Sequence, residues 1–160
     1  MNTHEQIIQA FYQAFQRLDW RAMLDCYHPE VVFSDPVFKA LNAPQAALMW
    51  QMLCEQAQAF DLQYRNIRAD DQCGSATWLV NYHFAPTGNK VKNTVYAEFQ
   101  FKQGRIVRHS DHFNFWWWQT QALGVKGALL GWSGLMQRKV QRQALAGLTR
   151  YAKQHRKLDN

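Results

Sequence analysis

The chain has 160 residues, 48% hydrophobic and 14% aromatic, which suits one domain whose large rings are wrapped around a cavity. Its net charge of +6 resides in the tail: from Ser133 onward stand Arg138, Lys139, Arg142, Arg150, Lys153, Arg156 and Lys157 against Asp159 alone. A neutral body and a basic tail without interleaved stacking aromatics argue against nucleic acid as a partner.

Thr3 is placed to cap a first helix, with Gln6 at the capping-box position. Ile7, Ile8, Phe11, Tyr12, Phe15 and Leu18 recur at helical spacing, so residues 4–17 are predicted as an amphipathic helix. Asp19 caps a short second helix over 20–27, and His28-Pro29 ends it. Residues 30–34 follow as a strand, then Asn42-Ala43-Pro44 opens a third helix that runs to about residue 59. Four strands are predicted over 61–70, 74–85, 90–103 and 104–116, with a turn at Ala85–Asn89 and a tight hairpin at Gln103-Gly104. Gln119–Trp132 is an apolar, glycine-punctuated segment, and a long basic amphipathic helix extends from Ser133 to about His155. Three helices followed by a meander predict an α+β fold in which a cone-shaped, curved mixed sheet wraps around the N-terminal helices. Residues 1–118 form the domain, and 119–160 are a C-terminal helical extension packed on it.

Cys26, Cys54 and Cys73 are odd in number, widely spaced and without a CxxC. They read as reduced thiols of a cytoplasmic protein. His28, His83 and His155 have no zinc spacing, and no metal or cofactor is expected. The N-terminus lacks a basic region followed by an apolar core, so no signal peptide is expected, and no apolar run is long enough to span a bilayer.

The stretch Phe33-Ser34-Asp35-Pro36-Val37 ends a strand on one carboxylate and stops it with a proline. Together with Tyr27-His28-Pro29-Glu30-Val31-Val32 before it, and with Gly104-Arg105-Ile106-Val107 leading into His109-Ser110-Asp111-His112-Phe113, it resembles the nuclear transport factor 2-like superfamily, in its SnoaL-like and ketosteroid-isomerase-like branch. The resemblance spans roughly residues 4–118. It implies a cone with an apolar pocket and places Asp35 at the position of the catalytic aspartate of ketosteroid isomerases. The isomerases' two oxyanion donors are absent, because Phe11 and Ala97 occupy those positions. Each such donor contributes about 2.7–4 kcal/mol, so ketosteroid isomerisation by that mechanism is not expected.

Strand alternation puts His109, Asp111 and Phe113 on one face and Arg108, Ser110 and His112 on the other. By the resemblance, the first face looks into the pocket, with Phe11, Phe15, Phe33, Ala97 and Phe99 on the wall beside Phe113. The predicted catalytic set is Asp35 and Asp111 as proton-transfer groups with His109 as their partner. Competing readings make Asp35 a turn-capping carboxylate, and make His109 and Asp111 an ion pair on a wet sheet face. Trp78, Tyr82 and Tyr96 are possible pocket residues whose phase is open.

These residues suit a cofactor-independent acid/base enzyme of isomerase, cyclase or hydratase/hydrolase type, acting on a small apolar carbonyl or polycyclic molecule. The alternative is a non-catalytic lipophilic-ligand binder or assembly module of the same fold. A homodimer is expected through the outer sheet face, with Tyr96, Trp116 and Trp118 exposed on it, or through the C-terminal helices. The apolar and basic C-terminal segments fold back on the sheet or the pocket mouth, or pair with another subunit; contact with a membrane surface is the less favoured reading.

Overall fold

Asn2, rather than Thr3, starts the first helix, α1 (Thr3–Gln16). In this computed structural model, which describes residues 1–130 and 133–158, the Asn2 side chain accepts from Glu5 N while Glu5 accepts from Asn2 N at 2.9 Å. Asparagine is the better cap, and a glutamate in the first turn also suits the helix dipole. Helix α2 (Trp20–Asp25) is capped by Asp19 and stops earlier than expected, so Tyr27 opens strand β1 (Tyr27–Ser34). Pro29 is the cause, because it lacks a donor and holds His28 out of the helical region.

Helix α3 (Ala43–Gln56) has Asn42 and Gln45 as its capping box. Strands β2 (Asp61–Ala69), β3 (Cys73–His83), β4 (Lys90–Lys102) and β5 (Arg105–His112) complete a curved open sheet in the order β1-β5-β4-β3-β2. Only β1 and β5 run parallel; the other pairs are antiparallel. Gln103 and Gly104 have φ of 52° and 72°, the pair of left-handed residues that a tight hairpin of the favoured hand requires.

On β4, Val91, Asn93, Val95, Ala97 and Phe99 are buried, while Lys90, Lys92, Tyr96, Glu98 and Gln100 are exposed. The outer sheet face is therefore largely polar. In β5 the register shifts between Gln100 and Phe101, which pair with Arg108 and Ile106. Val107 is skipped, and Ile106, His109 and Asp111 all turn inward.

The predicted last strand ends four residues early. Asn114 caps helix α4 (Phe115–Leu123) by accepting from Trp117 N at 3.0 Å. The three consecutive tryptophans thus lie on a helix. Trp118 is buried, donating to the Tyr82 hydroxyl at 2.8 Å, whereas Trp116 and Trp117 are exposed. This corrects the expectation that Trp116 and Trp118 share the outer sheet face with Tyr96: both lie on α4, and of the two Trp116 alone is exposed.

Helices α5 (Val125–Leu130) and α6 (Gly134–Leu158) follow. Gly131 and Trp132, the end of the predicted apolar segment, lie outside the described residues. Val140, Leu148 and Tyr151 of α6 are buried, each contributing about 1.5–3 kcal/mol by leaving water. Tyr151 also donates to Glu55 of α3, and His155 lies 3.4 Å from the same carboxylate. Among the described residues, no helix is long and apolar enough to cross a membrane.

Candidate active site

Strand β1 ends where Pro36 prevents further pairing, and Asp35 turns the chain. Its Oδ1 accepts from Val37 N at 2.7 Å and Phe38 N at 2.6 Å, an Asx-type turn. Phe33 and Leu41 close the loop with reciprocal backbone hydrogen bonds of 3.0 and 2.7 Å. Gln137 and Gln141 of α6 donate to the Pro36 carbonyl at 3.2 and 3.0 Å, so the C-terminal extension grips the turn directly. The two readings of Asp35 are compatible: Oδ1 caps the turn, and the carboxylate also lines a cavity. Burial pushes its pKa up to about 7, the Asp111 charge adds to the rise, and the two backbone donors oppose it.

His109 is fully buried. Its ring is packed by Phe99, Phe33 and Phe11 at centroid distances of 4.5, 5.1 and 5.3 Å, and by Trp50 at 6.1 Å. Trp50 Nε1 donates to Tyr27 Oη at 2.9 Å, and Tyr27 Oη lies 2.7 Å from His109 Nδ1. His109 Nε2 lies 2.9 Å from Asp111 Oδ1. Indole N–H can only donate, so a consistent assignment has Tyr27 donating to Nδ1 and His109 Nε2–H donating to Asp111. Trp78 Nε1 also points at Asp111 Oδ1, at 3.5 Å. In such dry surroundings each link is strong, and each is costly to break.

The cavity has a volume of about 770 Å³. Asp35 and Asp111 both line it, along with Phe15, Phe33 and Phe113. His109 does not, and this corrects its predicted place: it lies behind Asp111 and orients it. Phe11, Ala97 and Phe99 are likewise closed into the core rather than set on the wall. Phe11 and Phe99 pack against His109, and Ala97 stands across the ladder from Asp111. His112 is exposed and bonds Glu98 at 2.8 Å.

Sequence reasoning missed four contributors. Tyr27 falls within the predicted second helix and Trp50 carries no predicted role, yet both hold His109. Asn93, in phase with the buried Val91 and Val95, lines the cavity; that phase was the available signal. Tyr12, next to Phe11, carries a buried hydroxyl with no hydrogen-bond partner among the described residues, and burial followed by the Asp111 charge raises its pKa well above the usual value. It does not reach the cavity wall. The pair Asp35/Asp111 is thus the acid/base feature of this wall, with Tyr82, His83 and Asn93 as further polar groups.

Solved structures share this fold. The M. tuberculosis LEH-like epoxide hydrolase is 19% identical and superposes with a TM-score of 0.63, over 82% of this chain and 97% of that one. A protein assigned as a candidate polyketide cyclase from Xanthomonas campestris is 24% identical, with a TM-score of 0.64 over 75% and 96%. Another such candidate cyclase, from Pseudomonas putida, is 18% identical, with a TM-score of 0.64 over 76% and 99%. At these identities the likeness concerns the fold alone. No curated protein matches the sequence. The SnoaL-like domain model matches residues 8–109, the span that runs from within α1 through Asp35 to His109, and on that match the chain belongs to the SnoaL-like family of the nuclear transport factor 2-like superfamily.

Proposed function

We propose that this protein is a cytoplasmic, cofactor-independent acid/base enzyme of isomerase, cyclase or hydratase/hydrolase type, acting on a small apolar carbonyl or polycyclic molecule. The observation that carries the reading is one apolar cavity with two carboxylates on its wall, Asp35 and Asp111, where Asp35 has a pKa of about 7. Such a group exists in both protonation states near neutrality and can take a proton from carbon or return one. Asp35 is the proton-transfer group. Asp111, oriented by His109, keeps a negative charge close to it and tunes its basicity.

The test uses 5-nitrobenzisoxazole, an apolar bicyclic probe of carboxylate bases. Asp35 removes the proton on C3, those electrons form the nitrile, and the N–O bond breaks to release a coloured phenolate. Turnover by the wild type that is lost in Asp35→Asn supports the proposal. Binding without turnover overturns it in favour of a lipophilic-ligand binder. A Δ5-3-ketosteroid is not expected to be isomerised, because Phe11 lies in the core and Ala97 offers no donor. Ready turnover of that steroid by the wild type would refute this expectation.

The assembly proposed for the active protein is a homodimer. The exposed Tyr96, Trp116 and Trp117 supply the apolar anchors that a two-fold contact needs. Sedimentation equilibrium at micromolar concentration is expected to give twice the chain mass; a species at 18.8 kDa would exclude the dimer.

A further inference from the structure

Helix α6 has two working faces. Val140, Gln143, Ala144, Gly147, Arg150 and Tyr151 border the cavity, while Arg138, Lys139, Arg142 and Lys153 are exposed. The whole helix contains no acidic residue. Arg150 is the cation that belongs to both faces, since it is exposed yet borders the cavity, which puts it at the rim. No ion pair or ring contact of Arg150 occurs among the described residues, and Glu55 of α3 is engaged by Tyr151 and His155. The Arg150 side chain folds back along the helix, with Nη2 3.9 Å from where a Cβ on Gly147 would stand. Deeper in the cavity the carboxyl groups are Asp35 and Asp111.

We infer that the ligand of this cavity is an apolar molecule bearing one anionic group, carboxylate or phosphate, and that Arg150 holds this group at the rim. The inference rests on the acid/base reading for what happens at the other end of the ligand. Two opposed fields orient the molecule. The guanidinium offers fork-shaped donors to an oxyanion, and the carboxyl pair at the bottom has no cation to offer the same group and repels it whenever Asp35 is ionised. The neutral end is thereby directed to Asp35. The exposed cations on the outer face of α6 draw anions towards the rim and raise the rate of encounter.

The test measures affinity for dodecanoate, dodecyl phosphate and dodecanol below their aggregation limits. The readout is the fluorescence of Trp50, Trp78 and Trp118, which line the cavity. The wild type is expected to bind at least one of the two anions about tenfold more tightly than the alcohol, as befits one charge-assisted contact. Which anion wins identifies the headgroup. In Arg150→Gln the advantage should shrink to about twofold or less. Lys139→Gln removes the same charge from the outer face and should keep the full advantage at moderate salt. Equal binding of alcohol and anions by the wild type, or an advantage that survives Arg150→Gln, overturns the inference. So does an advantage lost equally in Lys139→Gln, because general charge would then explain it. The catalytic reading stands or falls separately, on the Asp35-dependent elimination: a protein that discriminates anions through Arg150 but does not turn over the probe refutes the enzyme and leaves the ligand class supported.

Discussion

Asp35→Asn is expected to reduce the elimination rate by about 10²–10⁴-fold, the usual contribution of one positioned general base. Asparagine keeps an oxygen for the Val37 and Phe38 amides, so the turn can persist while the base is lost. In the wild type the rate should rise with pH through about 7, following ionisation of Asp35. Asp111→Asn removes a charge that raises the Asp35 pKa, so the midpoint of its profile should move to lower pH. A wild-type midpoint near the ordinary carboxylate value of 3.8 would show that Asp35 is not in the environment described. Stability carries the same signature. A carboxyl group whose folded pKa is raised binds its proton more tightly when folded, so the contribution of Asp35 to stability falls as pH rises from about 4 to about 7. Asp35→Asn should therefore raise the urea midpoint at about pH 8 and leave it little changed, or lower it, at about pH 4. Equal effects at both pH values would contradict the assignment.

His109→Ala is expected to lower the unfolding free energy by about 3–5 kcal/mol. Two costs combine. A fully buried ring is removed from among Phe99, Phe33, Phe11 and Trp50, and the Tyr27 hydroxyl and the Asp111 carboxylate both lose a partner. Tyr27→Phe breaks only the Trp50–Tyr27–His109 segment and should cost about 1–3 kcal/mol. Urea denaturation gives both values. A loss below about 1 kcal/mol for His109→Ala would mean that the histidine is not built into the core as described. Where His109→Ala fails to fold, Tyr27→Phe still provides the measurement.

The amphipathic period of α1, the caps at Asp19 and Asn42 and the alternation of β4 are local properties, and they were legible because a helix or a strand exposes its buried face at a constant interval. The Asp-Pro break likewise announced Asp35, since proline ends pairing wherever it falls. Local pattern also misled: Tyr27 continues a helical spacing, but Pro29 claims it for the strand, and the three tryptophans continue a strand until Asn114 caps a helix instead. Parity put His109 and Asp111 on one face and the family resemblance turned that face inward, but neither could separate wall from core. That distinction depends on which rings pack over each side chain: Phe11, Phe33, Phe99 and Trp50 come from four different elements and close over His109, while Asp111 stays open to the cavity. The elevated pKa of Asp35 arises in the same way, from burial and from a carboxylate distant in the chain. The tail was legible as a basic amphipathic helix with an apolar face to cover, but the sequence left open whether the sheet, the pocket mouth or another subunit covers it. Only the packed structure turned it into a wall of the cavity, with Gln137 and Gln141 on the Asp35 turn and Arg150 at the rim, because a helix's local sequence defines its faces and the rest of the molecule decides what those faces meet.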